Sequence, residues 1–429
     1  MSFEEFVASR HAAGELVVQP RLGFADPVVM RAGLAATKAA AAATVGTVTL
    51  DSYTRVCDTD SVAHALRNGI ALNGYPIVNH PAEVTRAMLD GIEGPDFPVQ
   101  VRHGSARPAD IFRAMIKAGL HATEGGPVSY CLPYSRTPLD EAVRNWSHCC
   151  DLLMDAEHPA GRPHLETFGG CMMGQLCPPS ELVALSVLEA LFFYRKGLRS
   201  ISVSYAQQTD MTQDQEAVSA LRRLCAELLP GATWHVVIYA YMGLFPRTPD
   251  GARGLLAKAA ELAMTTDSER LIVKTVAEAH RIPTVAENIA ALEHAGATAR
   301  GVTTKAAITK TPVDSDNQVY REAYALVDAV LNSHADLGRA IVVAFKRGLL
   351  DVPFCLHPDN AGQARSYLDS QGRLGWSDLG SLPLRHVVER RSPGKITSST
   401  LMSALSHVQN TYDAQFLEQP MTAIGGDSR

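Results

Sequence analysis

Three arginines close short apolar segments, in Gln19-Pro-Arg21, Asp51-Ser-Tyr-Thr-Arg55 and Val99-Gln-Val-Arg-His-Gly104. A guanidinium binds a carboxylate through two parallel hydrogen bonds and stays charged at any relevant pH. Several guanidinium groups gathered with one or two carboxylates therefore suit a small substrate that carries more than one carboxylate. Each arginine alone reads more readily as a surface or ion-paired residue; on successive strand ends, Arg21, Arg55 and Arg102 together favour a binding cluster. Glu124, in Thr123-Glu-Gly-Gly126, could accept a substrate ammonium, the glycines letting a ligand approach the backbone, or could neutralise one of the arginines. Tyr130 and Tyr134, in Ser129-Tyr-Cys-Leu-Pro-Tyr134, offer hydroxyl donors and aromatic walls, or simple loop packing. Lys274 and Glu278, in Val273-Lys-Thr-Val-Ala-Glu278, stand one helical turn apart and could contact a polyhydroxylated ligand or form a plain ion pair.

Familiar signatures of other chemistry are absent. The sequence has no G-x-S-x-G elbow, no H-E-x-x-H and no Walker A string, and Gly169-Gly-Cys-Met-Met-Gly174 reads as a close-approach loop without a phosphate signature. Eight cysteines include no C-x-x-C pair, so no metal site is expected in this chain. With no basic and apolar leader after Met1, they point to buried thiols in a reducing cytoplasm. The 39 Lys and Arg against 45 Asp and Glu give a net charge of −6, which excludes a basic nucleic-acid footprint. A 46% hydrophobic and 20% charged composition excludes disorder, and the weakly polar stretch 35–50 is too rich in small residues to span a membrane.

The elements that must position these residues follow from periodicity. Eight β-branched or aromatic runs recur: Thr47–Tyr53, Tyr75–Asn79, Pro98–His103, Leu120–Glu124, His164–Phe168, Ser200–Tyr205, Trp234–Tyr241 and Leu271–Lys274. Helical segments lie between them, among them Ser61–Leu72, Pro108–Ala118, Pro138–Leu153, Pro179–Phe193, Gln213–Leu229 and Ala252–Met264, several opened by proline or an acidic residue. This alternation predicts an α/β fold with a parallel sheet, and eight repeats fit a (β/α)8 TIM barrel of about 250 residues. A doubly wound sheet is the rival, but no G-x-G-x-x-G follows the first strand. Polar residues at the run ends, namely Arg55, Asn79, Arg102, His103, Glu124, Glu166, Tyr205, Tyr241 and Lys274, would line the rim where barrel active sites are built. Past Pro283 come helices over Val285–Ala295 and from about Asp316 to Arg347, then a polar tail. The expected division is a barrel with its N-terminal segment and binding rim over 1–300, and a helical and irregular extension packed on it over 301–429.

The ordered set of segments resembles the large, epsilon subunit of adenosylcobalamin-dependent glutamate mutase, also called methylaspartate mutase. The collinear resemblance runs through Gln19-Pro-Arg21, Leu50-Asp-Ser-Tyr-Thr-Arg55, Leu72-Asn-Gly-Tyr-Pro76, Arg102-His-Gly104, Glu124-Gly-Gly-Pro-Val-Ser-Tyr130 and Pro133-Tyr134. It continues through Cys177-Pro-Pro-Ser180, Met242-Gly-Leu-Phe-Pro246, Ile272-Val-Lys-Thr275, Ile282-Pro-Thr284, Asp351-Val-Pro-Phe354 and Asn360-Ala-Gly362, covering about residues 15–365.

The resemblance implies a barrel rim that holds glutamate beneath the corrin. It implies that Arg21, Arg55 and Arg102, with His103, grip the two substrate carboxylates, that Glu124 serves catalysis near the ammonium, and that Tyr130 and Tyr134 contact the substrate. It matches Gly23, Asn73, Pro133, Phe245, Lys274, Glu278 and Ile282 to positions touching the cobalamin or its adenosyl group. The implied reaction begins with homolysis of the cobalt–carbon bond, followed by hydrogen abstraction, rearrangement and return of the hydrogen in 3-methylaspartate. The implied partner is a small B12-binding subunit carrying Asp-x-His-x-x-Gly, which this chain lacks; the nearest string, Asp155-Ala-Glu-His158-Pro-Ala-Gly161, is one residue too long. Two large subunits would pair within a heterotetramer. The chain departs from the family at His164-Leu-Glu-Thr-Phe-Gly169, Pro127 and Gln207-Gln-Thr-Asp210, which leaves a related amino dicarboxylate open as substrate. A non-catalytic paralogue is a further alternative, against which the arginines, Glu124 and Lys274 argue; a cobalamin-independent barrel lyase would need an acid/base pair that the sequence does not reveal.

Overall fold

The computed structural model describes residues 1–158, 161–168, 176–306, 314, 316–388 and 396–417. Eight strands form one parallel sheet: β1 Val17–Gln19, β2 Gly46–Thr49, β3 Val99–Arg102, β4 Ala122–Glu124, β5 His164–Glu166, β6 Ser200–Ala206, β7 Thr233–Tyr239 and β8 Arg270–Ile272. Their order, β1-β8-β7-β6-β5-β4-β3-β2, leaves β1 and β2 as the two ends. Those ends meet: Val18 N–H donates to the Ala43 carbonyl and Thr49 N–H to the Leu22 carbonyl, each at 2.8 Å. The sheet is therefore closed into the (β/α)8 barrel that the alternation predicts.

Two expected elements are corrected. Tyr75–Asn79 forms no strand; Tyr75 makes a single bridge with Leu50, and the true first strand is the three-residue Val17–Gln19, too short to show a period. The eight expected runs thus gave the right number with one wrong member. The run Thr47–Tyr53 stops at Thr49 because the Asp51 carboxylate accepts from the Tyr53 and Thr54 N–H groups, both at 2.9 Å, and starts a one-turn helix. Arg55 accordingly ends that one-turn helix instead of a strand, and Asn79 sits in a turn with its amide on the Thr59 carbonyl.

Helix α1, Phe3–Ala12, precedes the barrel; α2, Pro27–Ala39, joins β1 to β2. Between β2 and β3 lie α3 Ser52–Arg55, α4 Thr59–Arg67 and α5 Ala82–Leu89. The remaining crossovers are α6 Ala109–Lys117, α7 Leu139–Asp155, α8 Pro179–Arg195, α9 Met211–Leu228 and α10 Pro249–Thr265, followed by α11 Val285–Ala306. Helix α8 is buried on every side over 179–193, as an apolar helix without a polar face must be. The barrel covers one side and α12, Gln318–Leu331, covers the other. The long helix expected from Asp316 to Arg347 is two helices. Its chain breaks at Asn332, and Asp336 accepts from Arg339 N–H at 2.8 Å to start α13, Leu337–Arg347, which packs on α7. The hairpin of β9 Arg365–Leu368 and β10 Leu374–Asp378 and the helix α14, Ser398–Leu417, complete the described chain.

The segment between α13 and β9 is pinned by charge. Asp351 accepts from the N–H groups of Gly362, Gln363 and Ala364, and its own N–H donates to Glu181 of α8 at 3.1 Å. No helix among the described residues is long and apolar enough to cross a membrane. The seven described cysteines are free thiols.

Candidate active site

Register decides which side chains meet inside the barrel. Glu124 of β4 and Glu166 of β5 are direct partners across the sheet, and Arg102 ends β3 beside Glu124. Two inward carboxylates on adjacent strands repel unless cations flank them. Arg102 does so on one side, its Nε 2.8 Å from Glu124 Oε2, and Arg270 of β8 does so on the other, ion-paired with Glu166. Arg102 is 5% exposed and Glu124 2%, so this charge pairing lies largely out of water.

Tyrosines complete the carboxylates' surroundings. Tyr130 donates to Glu124 Oε1, while the Tyr239 hydroxyl reaches both Glu124 Oε2, at 2.9 Å, and Glu166 Oε1. Glu166 also accepts from Gln100 at 3.1 Å and Ser202 at 3.2 Å. Burial would raise its pKa, but Arg270 and Arg102 outweigh that and hold the carboxyl below its ordinary range. Beneath this layer Gln19 links Thr47 and Gln100, and His164 bridges Ser200 and Ser202. Phe3 of α1 stacks on His164 at 4.8 Å.

The Arg102 guanidinium lies against Phe168 and Tyr239, 5.9 and 5.2 Å from their ring centres, and those two rings meet edge to face at 5.2 Å. Its terminal nitrogens make no hydrogen bond among the described residues, so a bidentate edge is left for a ligand. Arg55 has no ion-pair partner among the described residues, and its buried Nε has no hydrogen-bond partner. The Arg55 side chain lies against Gly104, where a Cβ would stand 3.0 Å from Arg55 Cδ. His103 is neutral: burial and then the charge of Arg55 push its pKa down to about 3. Its Nδ1 accepts from Ser105 N–H at 3.0 Å, which places the proton on Nε2, a buried donor without a partner. Trp146 stacks behind the His103 ring at 5.7 Å.

The expected residues separate into two groups. Arg55, Arg102, His103, Glu124, Tyr130 and Tyr134 lie together around β2–β4, with Tyr134 6.0 Å from the Tyr130 ring and 40% exposed. A cavity of about 770 Å³ opens there, lined by Arg55, Arg107, Pro133, Tyr134, Arg136 and Leu356 among others. Arg21, Lys274 and Glu278 form the second group on the β1 and β8 loops. Glu278 stands closer to Arg21, at 3.1 Å, than to Lys274, at 3.9 Å, and the expected helical turn is a loop turn. Phe245 lies under the Lys274 ammonium at 5.1 Å, its ring buried with Tyr241 and Val408. Asn73 holds Ser52 N–H at 2.9 Å, and Ile282 is exposed.

Several glycines have a different use from the one expected. At Gly126 a Cβ would meet the Glu189 carboxylate at 2.1 Å, and at Gly125, with φ +125°, the Tyr130 ring at 2.4 Å. They admit protein, not ligand: Glu189 of α8 accepts from the Val128 and Ser129 N–H groups, both at 2.9 Å, and fixes the loop that carries Tyr130. Gly23 is likewise required by the Thr49 carbonyl, 2.3 Å from a Cβ built there. The positions that depart from the family pattern also bond within the protein. Thr167 meets Ser186 at 2.7 Å, Gln207 meets Leu255 and Tyr241, and Asp210 caps α9. His158 bonds the Leu153 carbonyl as a loop histidine, and Gly169–Gly174 lies outside the described residues.

Glu189 and Asp214 are fully buried acids whose pKa values burial pushes up to about 7. Between the ordinary carboxyl range and about 7 the folded chain therefore holds protons that the unfolded chain has released. Stability should fall as pH rises through about 7, with each group contributing on the order of 1.4 kcal/mol per pH unit. Urea unfolding should show a lower midpoint at pH 8 than at pH 5.5, and a shallower decline in Asp214→Asn. A midpoint that is flat or rises over that range would contradict the assignment.

The Methylaspartate mutase E chain (MutE) family model matches residues 1–402. The chain belongs to that family. Relatives named glutamate mutase epsilon subunit include one from Halobacterium salinarum, 32% identical over 352 residues that make up 80% of this chain and 73% of the relative. Another, from Escherichia coli O157:H7, is 30% identical over 78% of this chain and 72% of its own. Among solved structures, Proteus mirabilis N-acetylneuraminate lyase aligns with 93% of this chain and 98% of its own at 11% identity and a TM-score of 0.32, too slight a likeness to argue from. Glu166 is one of the expected rim residues, whereas Tyr239, Arg270, Gln100 and Phe168 are unforeseen participants. Their signal in the sequence was a polar or aromatic residue alternating within an otherwise apolar buried strand.

Proposed function

We propose that this chain is the large, substrate-holding subunit of an adenosylcobalamin-dependent isomerase that interconverts L-glutamate and 3-methylaspartate. One observation carries the reading: cations outnumber acids at the barrel mouth, and two of them, Arg55 and Arg102, present donors that no described group satisfies. Arg21, Arg55, Arg102 and Lys274 stand there against Glu124 and Glu278. An amino dicarboxylate carries a net negative charge at neutral pH and would take up that excess. Arg102 would hold one carboxylate in its open bidentate edge, and Arg55 and Arg21 would serve the other. His103 Nε2–H is a neutral donor beside them, and Glu124 would accept the ammonium.

A large flat cofactor also fits the mouth. Exposed apolar side chains surround it on the loops after β1, β2, β4, β7 and β8: Val28, Tyr53, Val56, Ile70, Tyr134, Leu244 and Ile282, with Leu356 of the C-terminal segment 83% exposed. Val56, Tyr134 and Leu356 share the lining of the cavity beside Arg55, and exposed apolar residues grouped in this way suit a binding face. Adenosylcobalamin, bound there with a small cobalamin-binding subunit, would supply a carbon radical by homolysis of its cobalt–carbon bond. The residues matched to that group are Gly23, Asn73, Pro133, Phe245, Lys274, Glu278 and Ile282, of which Ile282 and Asn73 are open to it and Phe245 is covered. The role of this chain is to grip the dicarboxylate and to keep water from the reacting carbon, for which Phe168, Tyr130 and Tyr239 form the walls. The name epsilon subunit in the relatives supports an assembly with another subunit, and we take it as a heterotetramer built on a pair of large subunits.

Reconstitution with such a small subunit, adenosylcobalamin and glutamate tests the proposal. A cob(II)alamin-coupled radical by electron paramagnetic resonance and 3-methylaspartate by NMR are expected. A radical without that product would assign another amino dicarboxylate, and neither signal with a competent partner would overturn the mutase reading.

A further inference from the structure

Tyr239 ends β7 with one phenolic hydrogen and two carboxylates to receive it. Its hydroxyl is 2.9 Å from Glu124 Oε2 and within bonding reach of Glu166 Oε1, and all three side chains are buried. A phenol donates one hydrogen bond at full strength, so the two acids compete for it. They are unequally supplied. Glu166 has Arg270, Gln100 and Ser202 as further donors, whereas Glu124 has Tyr130 and the contact with Arg102. Arg102 is also the group with an open edge for a ligand carboxylate. When a dicarboxylate occupies that edge, the charge that neutralises Glu124 is shared with the ligand, and Glu124 needs another donor.

We infer that Tyr239 is a positioning residue that turns its hydroxyl from Glu166 to Glu124 when a dicarboxylate engages Arg102, and so holds the Glu124 carboxylate in place to accept the substrate ammonium. One O–H···O bond replaces another and no proton leaves the phenol. Glu166 tolerates the exchange because three donors remain to it. Neither Tyr239 nor Glu166 is among the positions matched to substrate contacts, and the inference rests on the mutase reading of the site.

Tyr239→Phe, with Tyr205→Phe as comparison, tests it. Tyr205 donates to Asp214 of α9 at 2.7 Å, an equally buried phenol–carboxylate pair away from Arg102, so its loss removes the same group without touching Glu124. In the complex with the small subunit and a cobalamin lacking the adenosyl group, binding of glutamate and of glutarate, which lacks the ammonium, is followed by calorimetry. Tyr239→Phe should weaken glutamate about tenfold and leave glutarate unchanged, and Tyr205→Phe should weaken neither. In the active holoenzyme KM for glutamate should rise about tenfold in Tyr239→Phe alone. Equal glutamate affinity in all three, or an equal loss for glutarate in Tyr239→Phe, overturns the inference. A wild-type complex that binds no glutamate overturns the mutase reading instead.

Discussion

Arg102→Lys should lower kcat/KM for glutamate by about 3 kcal/mol, roughly two orders of magnitude, in the reconstituted enzyme. The substitution keeps the charge but loses three features of the guanidinium. The guanidinium carbon lies 5.9 and 5.2 Å from the ring centres of Phe168 and Tyr239, contacts that a lysine ammonium reproduces less well. Its Nε stands 2.8 Å from Glu124 while the terminal nitrogens stay open, so one group addresses protein and ligand at once. Lysine has three donors on one atom and cannot do both in the same geometry. The loss should lie mainly in KM if Arg102 holds the carboxylate equally throughout the reaction, and in kcat if it tightens during rearrangement. Arg102→Met should be worse, because it leaves Glu124 buried without its cation. Unchanged kinetics in Arg102→Lys would remove this residue from the substrate clamp.

Arg270→Met should reduce the unfolding free energy by about 3–5 kcal/mol. Arg270 and Glu166 are both fully buried, and the guanidinium also serves Gln19, Ser202 and, at 3.5 Å, Gln100. Removing it strands a carboxylate inside the barrel beside Glu124, its partner in register. The double variant Arg270→Met, Glu166→Gln should recover much of that loss, since a neutral, filled interior avoids the desolvation of two charges. Urea unfolding of the two single variants and the double variant measures the coupling, expected to be about 2 kcal/mol or more. Additive losses would show that the pair does not act as a unit.

Local pattern carried the barrel's general form. Apolar runs alternating with helical stretches are set by side-chain periodicity, which is a property of neighbours along the chain. The same pattern placed Arg102 and Glu124 at strand ends and Tyr130 and Tyr134 on the loop after β4. It failed where another local rule took over. Asp51 capped a helix and carried Arg55 off its strand, and a three-residue β1 left no period to read. It also misread the glycines after Glu124, whose close neighbours are Glu189 and Tyr130, residues distant or hidden in the linear order.

By itself, the amino-acid sequence determined the strand and helix alternation, the arginines, acid and tyrosines of the mouth, and the resemblance to the mutase large subunit. Only the tertiary structure decided that Glu124 and Glu166 face one another, that Arg102 and Arg270 flank them from opposite sides, and that Tyr239 spans the two. It also decided that Arg21 is paired with Glu278 while Arg55 is unpaired among the described residues. The reason is physical. Spacing fixes which residues share a strand face, whereas the pairing of buried charges depends on which strands lie side by side when the sheet closes, and the two cations that flank one carboxylate pair, Arg102 and Arg270, stand 168 positions apart.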